Sequence, residues 1–136
     1  MPKVEVGARA SRTKTITDAD IRAFAAASGD MNPLHLDEEF AKTTRFGKRI
    51  AHGMLTASLI SAVLGNDLPG TGTIYLSQTL SFKAPVYLDD TITATVEVTA
   101  FREDKRIATL RTICTNQEGT VVLEGEATVI APKEAT

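Results

Sequence analysis

Hydrophobic and polar positions along this chain follow two different rhythms, and the change comes near Thr71. In "TITDADIRAFAAASGD", Ile21, Phe24 and Ala25 recur at helical spacing. Thr17 stands ahead of them as a cap and Asp18 and Asp20 fall in the first turn, which predicts a helix over 18–28 ended by Gly29. "DEEFAKTT" predicts a second, short helix, and "RFGKRIA" an extended segment after it. "GMLTASLISAVLGNDLPG" is apolar on nearly every side, the pattern of a helix buried from all directions, and its Gly-Asn-Asp and Pro-Gly cluster stops it. A central helix is therefore expected over 53–65.

Beyond Thr71 the period is two. "TIYLSQTLSFKAPV", "DTITATVEVTAFRED", "KRIATLRTICTNQ" and "GTVVLEGEATVIAP" are rich in β-branched residues. Their breaks are turn-like: Leu88-Asp89-Asp90, Glu103-Asp104-Lys105 and Gln117-Glu118-Gly119. These runs predict an antiparallel meander, and "ARASRTKTI" supplies a fifth strand. Such a sheet must cover one hydrophobic face, and helix 53–65 is the element apolar enough to lie across it. The expected architecture is α+β: a five-stranded antiparallel sheet wrapped around a central helix, in a single domain over 1–136 with no internal repeat or linker.

Composition narrows the function classes. With 43% apolar and 24% charged residues a proper core can form, and the formal net charge is -2. The cations form no dense block and are not interleaved with aromatic residues, which argues against a nucleic-acid partner. The lone Cys114 cannot form an intrachain disulfide, and its alternating apolar context suits a buried thiol in a reducing compartment. The amino terminus lacks a signal-like apolar core, and the run from Met54 to Leu64 is too short to span a bilayer, so no membrane is implied and a cytoplasmic location is expected.

Candidate chemistry sits in "SGDMNPLHLD". Were the helix to continue through it, Asp30 and His35 would stand about 140° apart around the axis. Pro33 has no N–H to give and disfavours helical geometry at Asn32, so the chain should turn just after Asp30 and can bring acid and imidazole together. Such a pair could grip one water between a carboxylate oxygen and a ring nitrogen. The spacing alone does not choose between this and a helix end followed by a turn with a structural histidine. In "RIAHGMLTASLIS", His52-Gly53 stands at the start of the central helix, where unpaired N–H groups and the positive end of the helix dipole make an oxyanion site. An ordinary glycine cap would read the same way. Ser61, eight residues on, should share much of the face of Gly53 and either reach the Asp30/His35 pocket or bond back to its own helix.

Together, "GDMNPLHLD", Phe46, "RIAHGMLTASLIS" and "LSFKAPVYLDDTI" closely resemble the MaoC-like (R)-specific enoyl-CoA hydratases, short enzymes of a single hot dog fold, from about residue 5 to the end. The resemblance implies that Asp30 and His35 are a catalytic dyad holding the water added across a trans-2-enoyl thioester. It implies that the Gly53 amide binds the thioester carbonyl and that Ser61 lies beside the dyad. Asn32 would shape the dyad loop, and His52 would help to place the oxyanion amide. The product would be an (R)-3-hydroxyacyl-CoA, most often in a stand-alone short member for polyhydroxyalkanoate synthesis. No cofactor or metal would be needed, coenzyme A being part of the substrate, and the enzyme would be a homodimer paired edge to edge. Leu64 and Val129 are candidates for the acyl tunnel and Lys83 for a coenzyme A phosphate.

Three rivals are weaker. A hot dog thioesterase needs an acid on the central helix, and none stands between Gly53 and Gly65. A metal on Asp30, His35, Asp37 and His52 matches no standard ligand spacing. A non-catalytic acyl-thioester-binding module would have no use for a water-gripping dyad.

Overall fold

The computed structural model describes residues 3–133, so residues 1–2 and 134–136 of the expected domain lie outside the described residues. Thr17 caps the first long helix, α1 (Asp18–Ser28), through a capping box with Asp20: the Thr17 hydroxyl accepts from the Asp20 amide while Asp20 accepts from the Thr17 amide. Gly29 ends α1 at φ 81°, a conformation that glycine adopts at no cost to a Cβ. Two short helices follow, α2 (Pro33–Leu36) and α3 (Glu38–Lys42), and then the central helix α4 (Gly53–Asn66). Residues 45–51, expected to be extended, instead form turns, and only Ile50 pairs with another strand-like residue, Tyr87. This segment runs from α3 to α4 across the end of the sheet, and its hydrogen bonds go to neighbouring loops rather than to a ladder.

The sheet is antiparallel and formed by β1 (Arg9–Thr15), β2 (Ile74–Gln78), β3 (Ser81–Phe82), β4 (Thr91–Arg102), β5 (Ile107–Thr115) and β6 (Val121–Ile130). Its order is β1-β4-β5-β6-β2, with β3 also on β6. The meander expectation holds for β4, β5 and β6. It fails for β2, which pairs with β6 rather than with its sequence neighbour β4. The strand expected over "TIYLSQTLSFKAPV" is in fact two, β2 and β3, which makes six strands among the described residues. The Thr79 hydroxyl takes the Glu126 amide that a carbonyl would take in a regular ladder, and the chain crosses close over Gly125. The α+β arrangement of a hot dog fold stands.

The concave face holds the core. Inward positions alternate along β4 as Ile92, Ala94, Val96 and Val98, all fully buried, and meet Ile60, Val63 and Leu64 of α4 with Leu110, Leu123 and Val129 of the next strands. Each large side chain so buried contributes about 1.5–3 kcal/mol. Cys114 belongs to this core, and burial pushes its thiol up to about 12, which makes it a packing residue. The two sheet edges differ. β1 is polar, with Arg9, Arg12 and Lys14, whereas β2 leaves Ile74, Tyr75 and Leu76 exposed. Among the described residues no helix is long and apolar enough to cross a membrane.

Gly125 is where backbone passes closest to backbone. An added Cβ would stand 1.8 Å from the Thr79 carbonyl oxygen. Gly125→Ala is therefore expected to destabilise the fold by about 3 kcal/mol, because Thr79 is itself tied to Glu126 and cannot retreat. Urea unfolding of the two proteins measures this; equal midpoints would contradict it.

Candidate active site

The end of α1 builds the first part of the site through a chain of local hydrogen bonds. The Ser28 hydroxyl donates to Phe24 O and accepts the Asp30 amide, the Asp30 carboxylate accepts the Asn32 amide at 3.2 Å, and the Asn32 side chain accepts the Leu34 amide at 3.0 Å. Pro33 then opens α2 at a position where its missing N–H is no loss. So the break expected after Asp30 occurs, and Asn32 shapes the loop as the cap of α2. His35 is carried inward to 8% exposure while Asp30 and Asn32 stay exposed.

The two histidines hold opposite tautomers. His35 Nδ1 lies 2.8 Å from Ile50 O. A carbonyl only accepts, so Nδ1 carries the proton and Nε2 keeps the lone pair. His52 Nε2 lies 3.0 Å from Asp30 O, so there Nε2 donates and Nδ1 faces no hydrogen-bond partner among the described residues, though it is buried. The rings stack at 3.9 Å and 28°, and Phe24 closes the other face of His52 at 4.9 Å. Burial lowers the His35 pKa below its ordinary value; the Ile50 carbonyl and the Asp30 charge oppose this, and His52 adds to it. His35 is thus neutral near pH 7, with one basic nitrogen available.

The start of α4 supplies the second part. His52 is the N-cap residue, and its carbonyl accepts the Leu55 and Thr56 amides, but its ring makes no cap bond. It helps to place the helix start through its backbone, while its ring holds the Asp30 carbonyl. The Gly53 amide has no acceptor among the described residues and stands at the positive end of a 14-residue helix. A Cβ on Gly53 would come within 2.6 Å of the Phe82 ring, so glycine keeps this amide open.

His35, Gly53, Thr56, Phe46, Phe82 and Val86 are among the residues around one cavity of about 290 Å³. The exposed Arg45 and Lys83 also line it; Lys83 is 3.5 Å from Glu124, a pairing of two half-exposed groups. One ligating atom from each of Asp30, His35 and His52 lies within 4.8 Å of the other two. Asp37, the fourth candidate ligand, is instead engaged in capping α3 at the Phe40 amide.

Three expected residues fall elsewhere. Ser61 lines a second cavity of about 530 Å³ with Phe24, Met54, Ser58, Tyr75 and Leu76. Eight residues of helix leave it roughly 80° around the axis from Gly53, enough to face another wall. Leu64 and Val129 line neither cavity: both point into the core, Leu64 from α4 and Val129 from an inward position of β6. Sequence reasoning missed Arg45, Arg49, Thr56 and Phe82. Thr56 did carry a signal, as a polar residue in an apolar helix, and its hydroxyl is buried in the cavity wall without a protein partner. The cations in "RFGKR" carry none, since nothing local separates the buried Arg49 from the exposed Arg45 and Lys48.

Comparison with known proteins adds independent findings. Residues 2–121 match the MaoC like domain. The chain is 55% identical over 129 residues to an (R)-specific enoyl-CoA hydratase of Rhodospirillum rubrum, covering 95% of this chain and 89% of that one. It is 49% identical over 131 residues to a 3-hydroxybutyryl-CoA dehydratase of Methylorubrum extorquens, covering 96% and 83%. The solved structure of an (R)-hydratase from A. caviae involved in PHA biosynthesis superposes with a TM-score of 0.93 at 55% identity, over 97% of this chain and all of that one.

The buried neutral His35 has a consequence for stability. In the unfolded chain it titrates at about 6.5. In the folded chain it titrates lower, so between the two values the unfolded state binds more protons. Its contribution is complete above the unfolded value and is lost as pH falls through the folded one. Urea midpoints measured from pH 8 to pH 5 should fall more steeply for the wild type than for His35→Gln. Parallel profiles would show that His35 is not the group responsible.

Proposed function

This chain belongs to the MaoC-like family, and on that premise we propose that it is an (R)-specific enoyl-CoA hydratase. It adds water across a trans-2-enoyl thioester to form an (R)-3-hydroxyacyl thioester, reversibly and without a cofactor. The observation that carries this reading is the pairing of donors and acceptors around one cavity. An open amide at Gly53 and the lone-pair nitrogen of His35 share its wall, with the Asp30 carboxylate close to the imidazole. A water making two hydrogen bonds of about 2.8 Å at a tetrahedral angle spans about 4.6 Å, a reach that lies within the 4.8 Å limit on the separation of these groups.

In this mechanism the thioester carbonyl accepts the Gly53 N–H, and the α4 dipole favours the negative charge that builds there as C3 is attacked. The dyad orients the water lone pair toward C3 and takes its proton. The oxygen forms the C3–O bond, the C2–C3 π electrons move onto the thioester oxygen as an enolate, and the dyad returns a proton to C2. One water thus supplies both added groups. In this reading the proton is held by the dyad as a unit rather than assigned to one member. Both groups approach from one side of the substrate, which gives a single hand of product.

Arg45 and Lys83 are the cations placed to meet the phosphates of a coenzyme A or carrier-protein thioester. The apolar side chains of Phe46, Val86, Val122 and Leu123 would receive acyl carbons. We place the enzyme in the cytoplasm as a source of (R)-3-hydroxyacyl units for polymer synthesis, a role consistent with the A. caviae relative. The exposed apolar edge of β2 supports a homodimer joined along that edge, which would also cover Tyr75 and Leu76 beside the second cavity.

Hydration of crotonyl-CoA, followed as loss of the conjugated thioester absorbance, tests the chemistry. Asp30→Asn and His35→Gln should each lower the rate by about 10²–10⁴-fold while remaining folded, and the wild-type product should be the (R) isomer. A wild type that binds but does not hydrate would favour a non-catalytic binding module. Light scattering in dilute solution should return twice the 14.6 kDa chain mass; a monomer at all concentrations would remove the edge-paired dimer.

A further inference from the structure

Segment 49–50 grips α2 in three ways. The Arg49 guanidinium, 8% exposed, donates through Nε to the His35 carbonyl at 2.7 Å, Ile50 N donates to Leu34 O at 3.4 Å, and Ile50 O accepts from His35 Nδ1 at 2.8 Å. The far side of the guanidinium is held in turn: Nη2 is 2.5 Å from Asp18 Oδ1, and Asp18 Oδ2 takes Arg22 at 2.9 Å. Asp18 sits in the first turn of α1, where a carboxylate is favoured by the helix dipole. A buried guanidinium stays only where its donors are matched, so Arg49 has little freedom to leave either partner.

We infer that Arg49 is a positioning residue for the reaction: it clamps the main chain of His35 to the start of α1 and so keeps the Ile50 carbonyl on His35 Nδ1 and Nε2 free for the water. The inference rests on the reading of His35 as a member of the dyad. Asp18 is the anchor of the same device. Neither residue touches the cavity, which explains how a side chain outside the site can set which ring nitrogen is basic. Besides the His52 ring, which bonds the Asp30 carbonyl and stacks on His35, the loop that carries His35 is held by cap bonds at exposed residues, and α2 is a single turn. A slackened clamp would therefore be felt first at the imidazole.

The test compares wild type, Arg49→Met and Asp18→Ala by crotonyl-CoA kinetics, by ¹⁵N shifts of the His35 ring and by thermal unfolding. Arg49→Met should lower kcat by about 10–100-fold with KM changed little, because misplacing a catalytic group costs turnover rather than binding. The His35 ¹⁵N pattern should shift from one protonated nitrogen toward a mixture of tautomers. Asp18→Ala should show the same split more weakly, and the double variant no more than Arg49→Met alone, since both cut one linkage. Unchanged kcat and an unchanged His35 pattern in a folded Arg49→Met, whatever its melting temperature, would overturn the inference. Should Arg49→Met not fold, the same two readouts in Asp18→Ala decide it in the same sense. The ring shifts need no turnover, so a wild type without hydratase activity would refute the functional reading while the Arg49 linkage is still judged by the spectrum.

Discussion

A single curved sheet with one apolar face must be covered, and in this chain α4 is the helix that lies across it. That demand sets the rest of the structure. Ile60, Val63 and Leu64 point into the sheet, so the helix axis is fixed against β4, and its first residue emerges at the end of the sheet. There the unpaired amide of Gly53 is presented to the cavity rather than spent on a neighbour. The helix that fills the core is thus also the element that places the open Gly53 amide, and its burial makes that amide rigid.

The site is assembled from hydrogen bonds that look structural when taken singly. His35 gives its Nδ1 proton to one carbonyl and His52 its Nε2 proton to another, so the stacked pair leaves two unlike nitrogens with lone pairs. Only that of His35 belongs to a residue that lines the cavity. Backbone carbonyls, which cannot change protonation, therefore fix the tautomers of both rings. The same logic extends outward through Arg49 to α1, where a buried charge is satisfied by one carbonyl and one carboxylate. Electrostatics here serves geometry: each charged or polar group matters mainly through the atom it holds in place.

Much of this was legible in the chain. The cap at Thr17, the glycine stop at Gly29, the break before Pro33 and the buried run from Gly53 are local, because each depends on what one residue's backbone or side chain permits within a few neighbours. The placing of Asp30 and His35 on either side of a turn follows from the same local break. Strand pairing was less legible. β2 has the alternation of any strand, and nothing within it says that it adds to β6 rather than to β4. The surroundings of Ser61, Leu64 and Val129 were less legible too, since helical and strand periodicity show which residues share a face but not which wall that face meets.

By itself, then, the sequence determined most of the elements, the α+β class and the acid and histidine on either side of a turn, for these follow from backbone preferences over short spans. Only the tertiary structure decided which nitrogen of each histidine is free, which of several neighbouring cations is buried and which side chains bound the cavity. Those outcomes depend on partners such as Ile50 for His35, Asp30 for His52 and Asp18 for Arg49, joined across 15, 22 and 31 positions of chain. No local pattern encodes a contact of that range; it exists once the sheet has closed over α4 and brought the loops to one end.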